Sequence, residues 1–239
     1  MECLAVDIGL SAYDEAWDLQ RRVWNARVEG KIPDVLILTE HRHVYTLGKS
    51  ANENHLLAKE EELKRKGVDV YQIDRGGDIT YHGPGQIVGY PILDLNDYYL
   101  DVHRYLRDLE EVIIRTLRAS GIDGARVEGM TGVWVGADKV AAIGIKVSRW
   151  VTMHGFAFNV NTDLSYFDRI IPCGIFHKGV TSMRQVLGPQ VDINQVRADL
   201  LRSFDSVFDV ATKPISISAF NELLDSEFKK ETEWLHQEK

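Results

Sequence analysis

A glycine-rich segment, residues 75–86, places small residues beside polar side chains that could converge on one ligand. Four glycines fall within eleven residues, next to an arginine, a threonine, a histidine and a glutamine. Glycine has no Cβ, so its backbone can approach a ligand closely. The segment matches neither the GxGxxG nor the GxxxxGK[ST] pattern, so it does not indicate a dinucleotide site or a P-loop. It predicts a binding site for another kind of small molecule.

Cys173 is the candidate nucleophile, because the thiolate of a cysteine attacks carbonyl carbon once its pKa is lowered. A lone cysteine is more often a small buried hydrophobic residue. The Pro-Cys-Gly sequence at 172–174 favours an exposed turn instead. A cation beside the thiol would lower its pKa. Lys139, Lys146 and Lys178 could each supply that charge, and their spacing does not choose among them.

The histidines leave several roles open. His82 could orient a substrate, act as a base or cap a loop. His41 and His43 would face the same way on a strand, but no third ligand follows at a recognisable spacing, so no metal is predicted. The second cysteine, Cys3, lies near a probable first strand and is predicted to pack there. No cofactor is expected.

The composition narrows the class of protein. The chain has 239 residues and a formal net charge of −8, which argues against nucleic-acid binding. It has no apolar run of the length that a membrane helix needs, and its N-terminus does not read as a secretion signal. Two cysteines form no disulfide framework. A cytoplasmic protein without a membrane partner is expected, with residues 1–239 as one domain.

The hydrophobic pattern predicts the elements that must position these residues. Helices are expected at 11–27, 58–66, 101–120, 192–208 and 216–235. Strands are expected at 34–40, 43–47, 68–74, 87–95 and 153–160, with a hairpin at 132–147. Ser11 is the expected N-cap of the first helix, and Pro91 predicts that its strand lies at a sheet edge or a bulge. This succession predicts an α+β fold with a mixed, largely antiparallel sheet flanked by helices.

Four sequence motifs, in this order, resemble those of the bacterial lipoyl (octanoyl) transferases. The match spans roughly residues 35–185 and is specific when the motifs are taken together. The motifs are Glu40-His41 with Val-Tyr-Thr-Leu-Gly at 44–48, the segment Arg-Gly-Gly-Asp-Ile-Thr-Tyr-His-Gly-Pro-Gly-Gln with its continuation at 75–93, Gly-Val-Trp-Val-Gly at 132–136 with Lys-Val-Ala-Ala-Ile-Gly at 139–144, and His-Gly-Phe-Ala-Phe-Asn-Val-Asn at 154–161 with Ile-Pro-Cys-Gly at 171–174.

The resemblance implies an enzyme that transfers an octanoyl or lipoyl group from acyl carrier protein to a lysine of lipoyl domains. Those acceptors are the E2 subunits of 2-oxoacid dehydrogenases and the glycine-cleavage H protein. The family fold is shared with the catalytic domain of biotin and lipoate protein ligases. Cys173 would carry the acyl thioester, and Lys139 would activate it. The implied substrate-binding residues are Arg75, Gly76, Gly77, Asp78, Ile79, Thr80, Tyr81, His82, Ala142, Ile143, Gly144, Gly155, Phe156 and Ala157.

Small residues on two of the predicted strands suggest where an acyl chain would lie. The alanines and glycines leave room for a narrow apolar tunnel: Ala141, Ala142, Gly144, Gly155 and Ala157. Three other functions remain open at this point. They are an ATP-dependent lipoate ligase that needs no cysteine, a non-enzymatic acyl or carrier-protein binding module, and a cysteine hydrolase that uses His177 as its base.

Overall fold

The computed structural model describes residues 1–171 and 179–237. In those ranges the helices are α1 (Tyr13–Val28), α2 (Glu60–Lys66), α3 (Val102–Ala119), α4 (Met183–Leu187), α5 (Ile193–Phe208) and α6 (Ile217–Gln237). The strands are β1 (Glu2–Ser11), β2 (Asp34–His41), β3 (Val44–Leu47), β4 (Asp69–Gln72), β5 (Ile79–His82), β6 (Gln86–Ile92), β7 (Ala125–Val127), β8 (Met130–Val135), β9 (Asp138–Ser148), β10 (Val151–Asn159) and β11 (Ala211–Pro214). Short 3₁₀ segments lie at Glu53–His55, Leu95–Asp97 and Leu164–Arg169.

The described strands form two sheets. The larger has the order β11-β1-β2-β6-β10-β9-β8-β7, and the smaller has the order β4-β3-β5. In the larger sheet β1 pairs in parallel with β11 and β2, while the other neighbours are antiparallel. The predicted α+β class, with a mixed and largely antiparallel sheet, is confirmed.

Helices cover both faces of the larger sheet. On one face, α3 and α5 bury residues such as Leu109 and Phe204 against sheet residues that include Phe158. On the other, α1 and α6 bury Val23 and Phe220. The apolar residues recur at three- and four-residue intervals along each helix, so one stripe faces the sheet. In the described ranges, no helix combines the length and apolar composition needed to cross a bilayer.

The first helix begins later than predicted, and Ser11 is not its N-cap. Ser11 is the last residue of β1, and its Oγ is hydrogen-bonded to Thr39 Oγ1 at 2.9 Å and lies 3.3 Å from His41 Nδ1. The N-cap position belongs to Ala12, whose side chain makes no capping hydrogen bond. The hydroxyl of Ser11 is occupied by the neighbouring strand, so the expectation that it caps the helix was wrong.

Pro91 lies in the interior of the sheet, so of the two predicted alternatives, an edge or a bulge, the edge was wrong. Its strand, β6, runs between β2 and β10. The register of β6 with β10 runs from Gln86 to Gly89, and pairing resumes beyond Pro91, where Thr152 N donates to Leu93 O at 2.9 Å and Asp94 forms a bridge with Val151. At Pro91 itself, Thr152 Oγ1 donates to the carbonyl oxygen at 2.8 Å. A proline without an N–H is tolerated because the ladder with β10 is interrupted at this position.

Candidate functional site

A cavity of about 410 Å³ lies where the glycine-rich segment meets β6, β9 and β10. Its size is within the range of sites for small molecules. Much of its wall is apolar, and Ile79, Val88, Ile143, Phe156 and Ala157 contribute to it. Polar side chains, among them His82 and Asn159, also reach the wall. An apolar chain with a polar head is the class of ligand that this lining would hold.

The glycines of segment 75–77 bring its backbone against β9. Gly76 N donates to Ile145 O at 2.9 Å. A Cβ on Gly144 would stand 2.9 Å from Gly76 O and 3.0 Å from Arg75 Cδ, closer than side chains tolerate. Gly144 therefore permits the contact that closes this wall of the cavity.

Arg75 organises the glycine-rich segment from inside the protein. It is 8% exposed. Its Nη2 donates to Thr46 O at 2.7 Å and to Thr46 Oγ1 at 3.0 Å, and its Nη1 donates to Gly76 O at 3.0 Å. Hydrogen bonds from a charged donor are stronger than those from a neutral one, so Arg75 anchors the segment to β3.

His82 is held at both ring nitrogens. Its Nδ1 lies 2.8 Å from Gln86 Oε1, and its Nε2 lies 3.3 Å from Thr46 Oγ1. Burial holds the pKa of His82 well below its usual value, because the protonated ring would lose its hydration. The ring is therefore neutral at pH 7, and its hydrogen bonds hold the segment in place.

His154 lines the cavity and forms a polar cluster with Asp74 and Lys146. None of the three is among the predicted binding residues, although Lys146 is one of the lysines considered as the cation beside Cys173. His154 Nε2 lies 2.8 Å from Asp74 Oδ1, and Lys146 Nζ donates to Asp74 Oδ2 at 2.5 Å. The hydrogen bond from His154 holds the pKa of Asp74 well below its usual range, and the contact with Lys146 acts in the same direction. Lys146 is thus engaged by Asp74, 72 residues earlier in the chain.

Lys139 is the second residue of β9 and lines the cavity. Its Nζ lies 4.9 Å from the ring centroid of Trp134. Its backbone also pairs with a segment outside the named strands: Lys139 N donates to Gly179 O at 3.0 Å, and Thr181 N donates to Lys139 O at 2.9 Å. Cys173, with the predicted turn at 172–174, His177 and Lys178, lies outside the described residues, so its proximity to Lys139 stays a prediction.

The predicted binding residues converge on this cavity with one exception. Those that line it are Arg75, Gly76, Gly77, Asp78, Ile79, Thr80, His82, Ala142, Ile143, Gly144, Gly155, Phe156 and Ala157. Tyr81 does not line it. Its ring stacks on Tyr166 with centroids 4.8 Å apart, and its hydroxyl lies 2.7 Å from His43 Nδ1. Tyr81 belongs instead to the core around the smaller sheet. Ala141, expected in the tunnel, is buried in the core on the α3 face.

Several lining residues were missed from the sequence. Val88 and Tyr90 alternate along β6 with Gln86, the glutamine of the glycine-rich segment, and all three reach the cavity. Side chains two residues apart share one face of a strand, so this alternation was the available signal. Asn159 lies on the face of β10 that also carries Ala157. Tyr13 arrives from the first turn of α1 and carried no signal in the sequence.

His41 and His43 are engaged with other side chains. His41 Nε2 lies 2.6 Å from Tyr90 OH, while His43 is bound to Tyr81. In the part of the chain that the structure describes, no three metal-ligating side chains come together. Burial lowers the pKa of His41 to about 4, because the charged ring would lose its hydration.

This depressed pKa predicts that acid weakens the fold. The unfolded chain binds a proton at His41 near pH 6.5, whereas the folded protein resists protonation down to about pH 4. The contribution is therefore complete above pH 6.5 and is lost as the pH falls through that window. Between pH 7.5 and 5, His41 should remove about 2 kcal/mol from the free energy of unfolding.

Urea unfolding at the two pH values tests this expectation. His41→Gln should remove most of that 2 kcal/mol difference, since glutamine does not titrate. His103→Gln, at an exposed position of α3, should leave the difference unchanged. An equal pH dependence in wild type and His41→Gln would contradict the assignment to His41.

Comparisons with known proteins place the chain in a family. Residues 12–205 match the model of the lipoyl protein ligase A/B catalytic domain. An octanoyltransferase of Cytophaga hutchinsonii is 46% identical over 226 residues, covering 87% of this chain and 93% of that protein. The octanoyltransferase of Flavobacterium psychrophilum is 50% identical over 220 residues, covering 85% and 95%. That of Rubrobacter xylanophilus is 52% identical over 201 residues, covering 83% and 90%.

Solved structures share the fold at low sequence identity. A bi-partite lipoate protein ligase of Thermoplasma acidophilum, described with its E2 lipoyl domain, superposes with a TM-score of 0.73 at 16% identity, covering 96% of this chain and 91% of that one. Lipoate-protein ligase A bound with ATP gives a TM-score of 0.71 at 16% identity, covering 96% and 92%. The solved ligases share the fold of this protein, and the three octanoyltransferases share about half of its residues. The chain therefore belongs to the lipoyl protein ligase A/B catalytic domain family, among its octanoyltransferases, which are acyltransferases.

Proposed function

We propose that this octanoyltransferase takes an octanoyl or lipoyl group from acyl carrier protein and delivers it to a specific lysine of lipoyl domains. The acceptors are the E2 subunits of 2-oxoacid dehydrogenases and the glycine-cleavage H protein, and the product is lipoylated protein or its octanoyl precursor. The ligase of T. acidophilum, which shares the fold, is described with an E2 lipoyl domain. That pairing supports the acceptor class.

One observation carries the proposal: the placement of Lys139. Its side chain lines the apolar cavity, while its backbone is hydrogen-bonded to Gly179 and Thr181. Gly179 follows Cys173 by six residues in the chain. This pairing supports Lys139 as the cation that activates Cys173, in preference to Lys146, which is bound to Asp74.

In the first step, the Cys173 thiolate attacks the carbonyl carbon of the octanoyl thioester. The bond from that carbon to the carrier's sulfur breaks, and the departing sulfur takes the proton from Lys139 Nζ. In the second step, the amine of the acceptor lysine attacks the Cys173 thioester, the carbon–sulfur bond breaks, and Lys139 accepts the proton that the amine loses. No ATP enters, because the donor is already a thioester.

The apolar wall supplies binding energy for the acyl chain. Burying six methylenes at about 0.8 kcal/mol each contributes on the order of 5 kcal/mol. Discrimination between chain lengths is limited to roughly tenfold or somewhat more per methylene. Octanoyl donors should therefore react best, while hexanoyl and decanoyl donors should react more slowly.

Ala142→Leu should shorten the preferred chain. Ala142 lines the cavity and pairs with Ala157 across β9 and β10, so a larger side chain there fills acyl space. The kcat/KM for octanoyl donor should fall at least tenfold, and that for hexanoyl donor should fall less. Ala125→Leu, at an exposed position in β7, is the matched control. Equal kcat/KM for the three donors in the wild type would contradict a closed acyl site.

Intact mass spectrometry tests the proposed function. Incubation with octanoyl-acyl carrier protein, without ATP, should add one octanoyl group to the wild type, and peptide mapping should place it on Cys173. Cys3→Ala should still be acylated, on Cys173. Cys3 itself should not react, because it is fully buried and burial raises the pKa of its thiol well above its usual value. Acylation that needs ATP and free octanoate would instead indicate a ligase, and release of free octanoate without acceptor would indicate a hydrolase.

A further inference from the structure

A buried chain of hydrogen bonds connects the glycine-rich segment with the strand that carries Lys139. Gln86 and Asn159 lie at its centre and are 1% and 3% exposed. Gln86 Nε2 donates to Asn159 Oδ1 at 2.9 Å and to Tyr81 O at 3.1 Å. Asn159 Nδ2 then donates to Thr181 O at 3.1 Å.

The donor and acceptor of each hydrogen bond in this chain of bonds follow from counting the hydrogens that each side chain can donate. The amide group of Gln86 uses both of its hydrogens as donor, so its Oε1 accepts from His82 Nδ1. The neutral His82 ring then carries its hydrogen on Nδ1, and its Nε2 accepts from the Thr46 hydroxyl. The Thr46 oxygen in turn accepts from Arg75 Nη2. Each group in the series therefore has a compatible partner, and each donates to the next in the order from Arg75 to Thr181.

This series of hydrogen bonds ends on the backbone segment that pairs with Lys139. Thr181 accepts from Asn159 through its carbonyl, and its N–H donates to Lys139 O at 2.9 Å. Lys139 N donates to Gly179 O at 3.0 Å, and Val180 forms the bridge with Lys139. The backbone segment Gly179–Thr181 is thus hydrogen-bonded both to the side chain of Asn159 and to the backbone of Lys139.

We propose that Asn159, oriented by Gln86, is a positioning residue for Lys139. Its amide fixes the Gly179–Thr181 backbone in register on β9 and thereby sets the position of the lysine at the cavity. The proposal rests on the proposed function only in giving Lys139 a part in acyl transfer. A displacement of about 1 Å at a reacting group can cost on the order of 10²-fold in rate.

Asn161 offers a matched control within the same motif. It lies two residues further along the chain, and its side chain also binds backbone in both directions. Asn161 Nδ2 donates to Val191 O at 2.8 Å, and Val191 N donates to Asn161 Oδ1 at 3.0 Å. Those contacts lead to the loop before α5 and not to Lys139. Loss of either asparagine removes comparable hydrogen bonds, so a purely structural role predicts similar effects for both.

The experiment compares wild type, Asn159→Ala and Asn161→Ala by hydrogen exchange and by transfer kinetics. In Asn159→Ala, amide exchange at Lys139 and Thr181 should accelerate at least tenfold. The kcat for octanoyl transfer should fall by about 10- to 100-fold, with KM for the octanoyl donor unchanged within twofold. Asn161→Ala should leave kcat and both exchange rates within twofold of wild type, although its melting temperature should also fall.

Asn159→Asp is the second variant, because it keeps the side-chain volume and the acceptor for Gln86 but, when ionised, has no donor for Thr181. It should reproduce the fall in kcat. Unchanged exchange at Lys139 and Thr181 in the Asn159 variants, or equal kcat in Asn159→Ala and Asn161→Ala, would overturn the proposal. A wild type that forms no octanoyl adduct on Cys173 would count against the proposed function alone, since hydrogen exchange still tests the role of Asn159.

Discussion

Replacement of Cys173 by alanine should abolish octanoyl transfer and eliminate the acyl-enzyme. Without the sulfur there is no nucleophile to accept the acyl group, and removal of a covalent nucleophile typically costs several orders of magnitude in rate. Transfer to a lipoyl domain should fall at least 10⁴-fold. The measurement is the rate of octanoyl transfer from acyl carrier protein, read by intact mass of the acceptor.

The other cysteine provides the control for this variant. Cys3→Ala removes a thiol that packs in the core beneath α3 and α5, so it should lower stability and leave the transfer rate per folded molecule near that of wild type. Wild-type transfer by Cys173→Ala would mean that the acceptor amine attacks the carrier thioester directly.

Lys139→Arg should separate the two steps of the reaction. Arginine keeps a positive charge, so the Cys173 thiol should retain its lowered pKa. Acylation should persist because the carrier's sulfur can leave as a thiolate and take its proton from water instead of from residue 139. Arginine does not give up its proton in proteins, so it cannot take the proton that the acceptor amine loses. The acyl-enzyme should accumulate, and its discharge to the acceptor should slow by about 10²- to 10⁴-fold.

Lys139→Met completes this comparison. Methionine keeps much of the side-chain length without the charge, so the pKa of the Cys173 thiol should rise towards about 8.5. Alkylation of Cys173 should then show its pH midpoint at a higher pH than in wild type and Lys139→Arg. Equal rates of discharge in Lys139→Arg and wild type would contradict a role for Lys139 as a base.

The elements with strong local signals could be predicted from the sequence. Helix α3 shows its apolar stripe through Leu109, Val112 and Ile113, and it ends where Gly121 adopts a positive φ of 74°. Gly67, the residue directly after the helix predicted at 58–66, ends α2 in the left-handed conformation. The bounds of the predicted helices agree within three residues with those observed. Such features depend on neighbours along the chain.

Features that depend on distant neighbours could not be predicted. Strand β11, at Ala211–Pro214, is short and largely exposed, and it is defined by pairing with β1. No strand was predicted within the glycine-rich segment, yet Ile79–His82 forms one because it pairs with β3. Pro91 was misplaced because the interruption of the β6–β10 ladder depends on two strands that are far apart in the sequence.

The same distinction applies to the site. The residue types of segment 75–82 indicated a binding surface, and most of them line one cavity. Tyr81 lies elsewhere because its ring packs against three aromatic rings, those of Tyr45, Tyr166 and Phe167. The contact of Asp74 with His154 joins residues 80 positions apart, and the pairing of Lys139 with Thr181 joins two segments that are distant in the sequence. No pattern within one segment encodes these contacts.

The chemical competence of the acyl-enzyme tests the central claim most directly. Octanoyl-enzyme, freed of carrier protein, is mixed with an excess of lipoyl-domain acceptor, and the octanoyl group is followed by rapid quench and mass spectrometry. We expect the group to leave Cys173 and appear on the acceptor lysine at a rate no slower than steady-state turnover. An adduct that persists, or that discharges more slowly than the enzyme turns over, would contradict the Cys173 thioester as the intermediate.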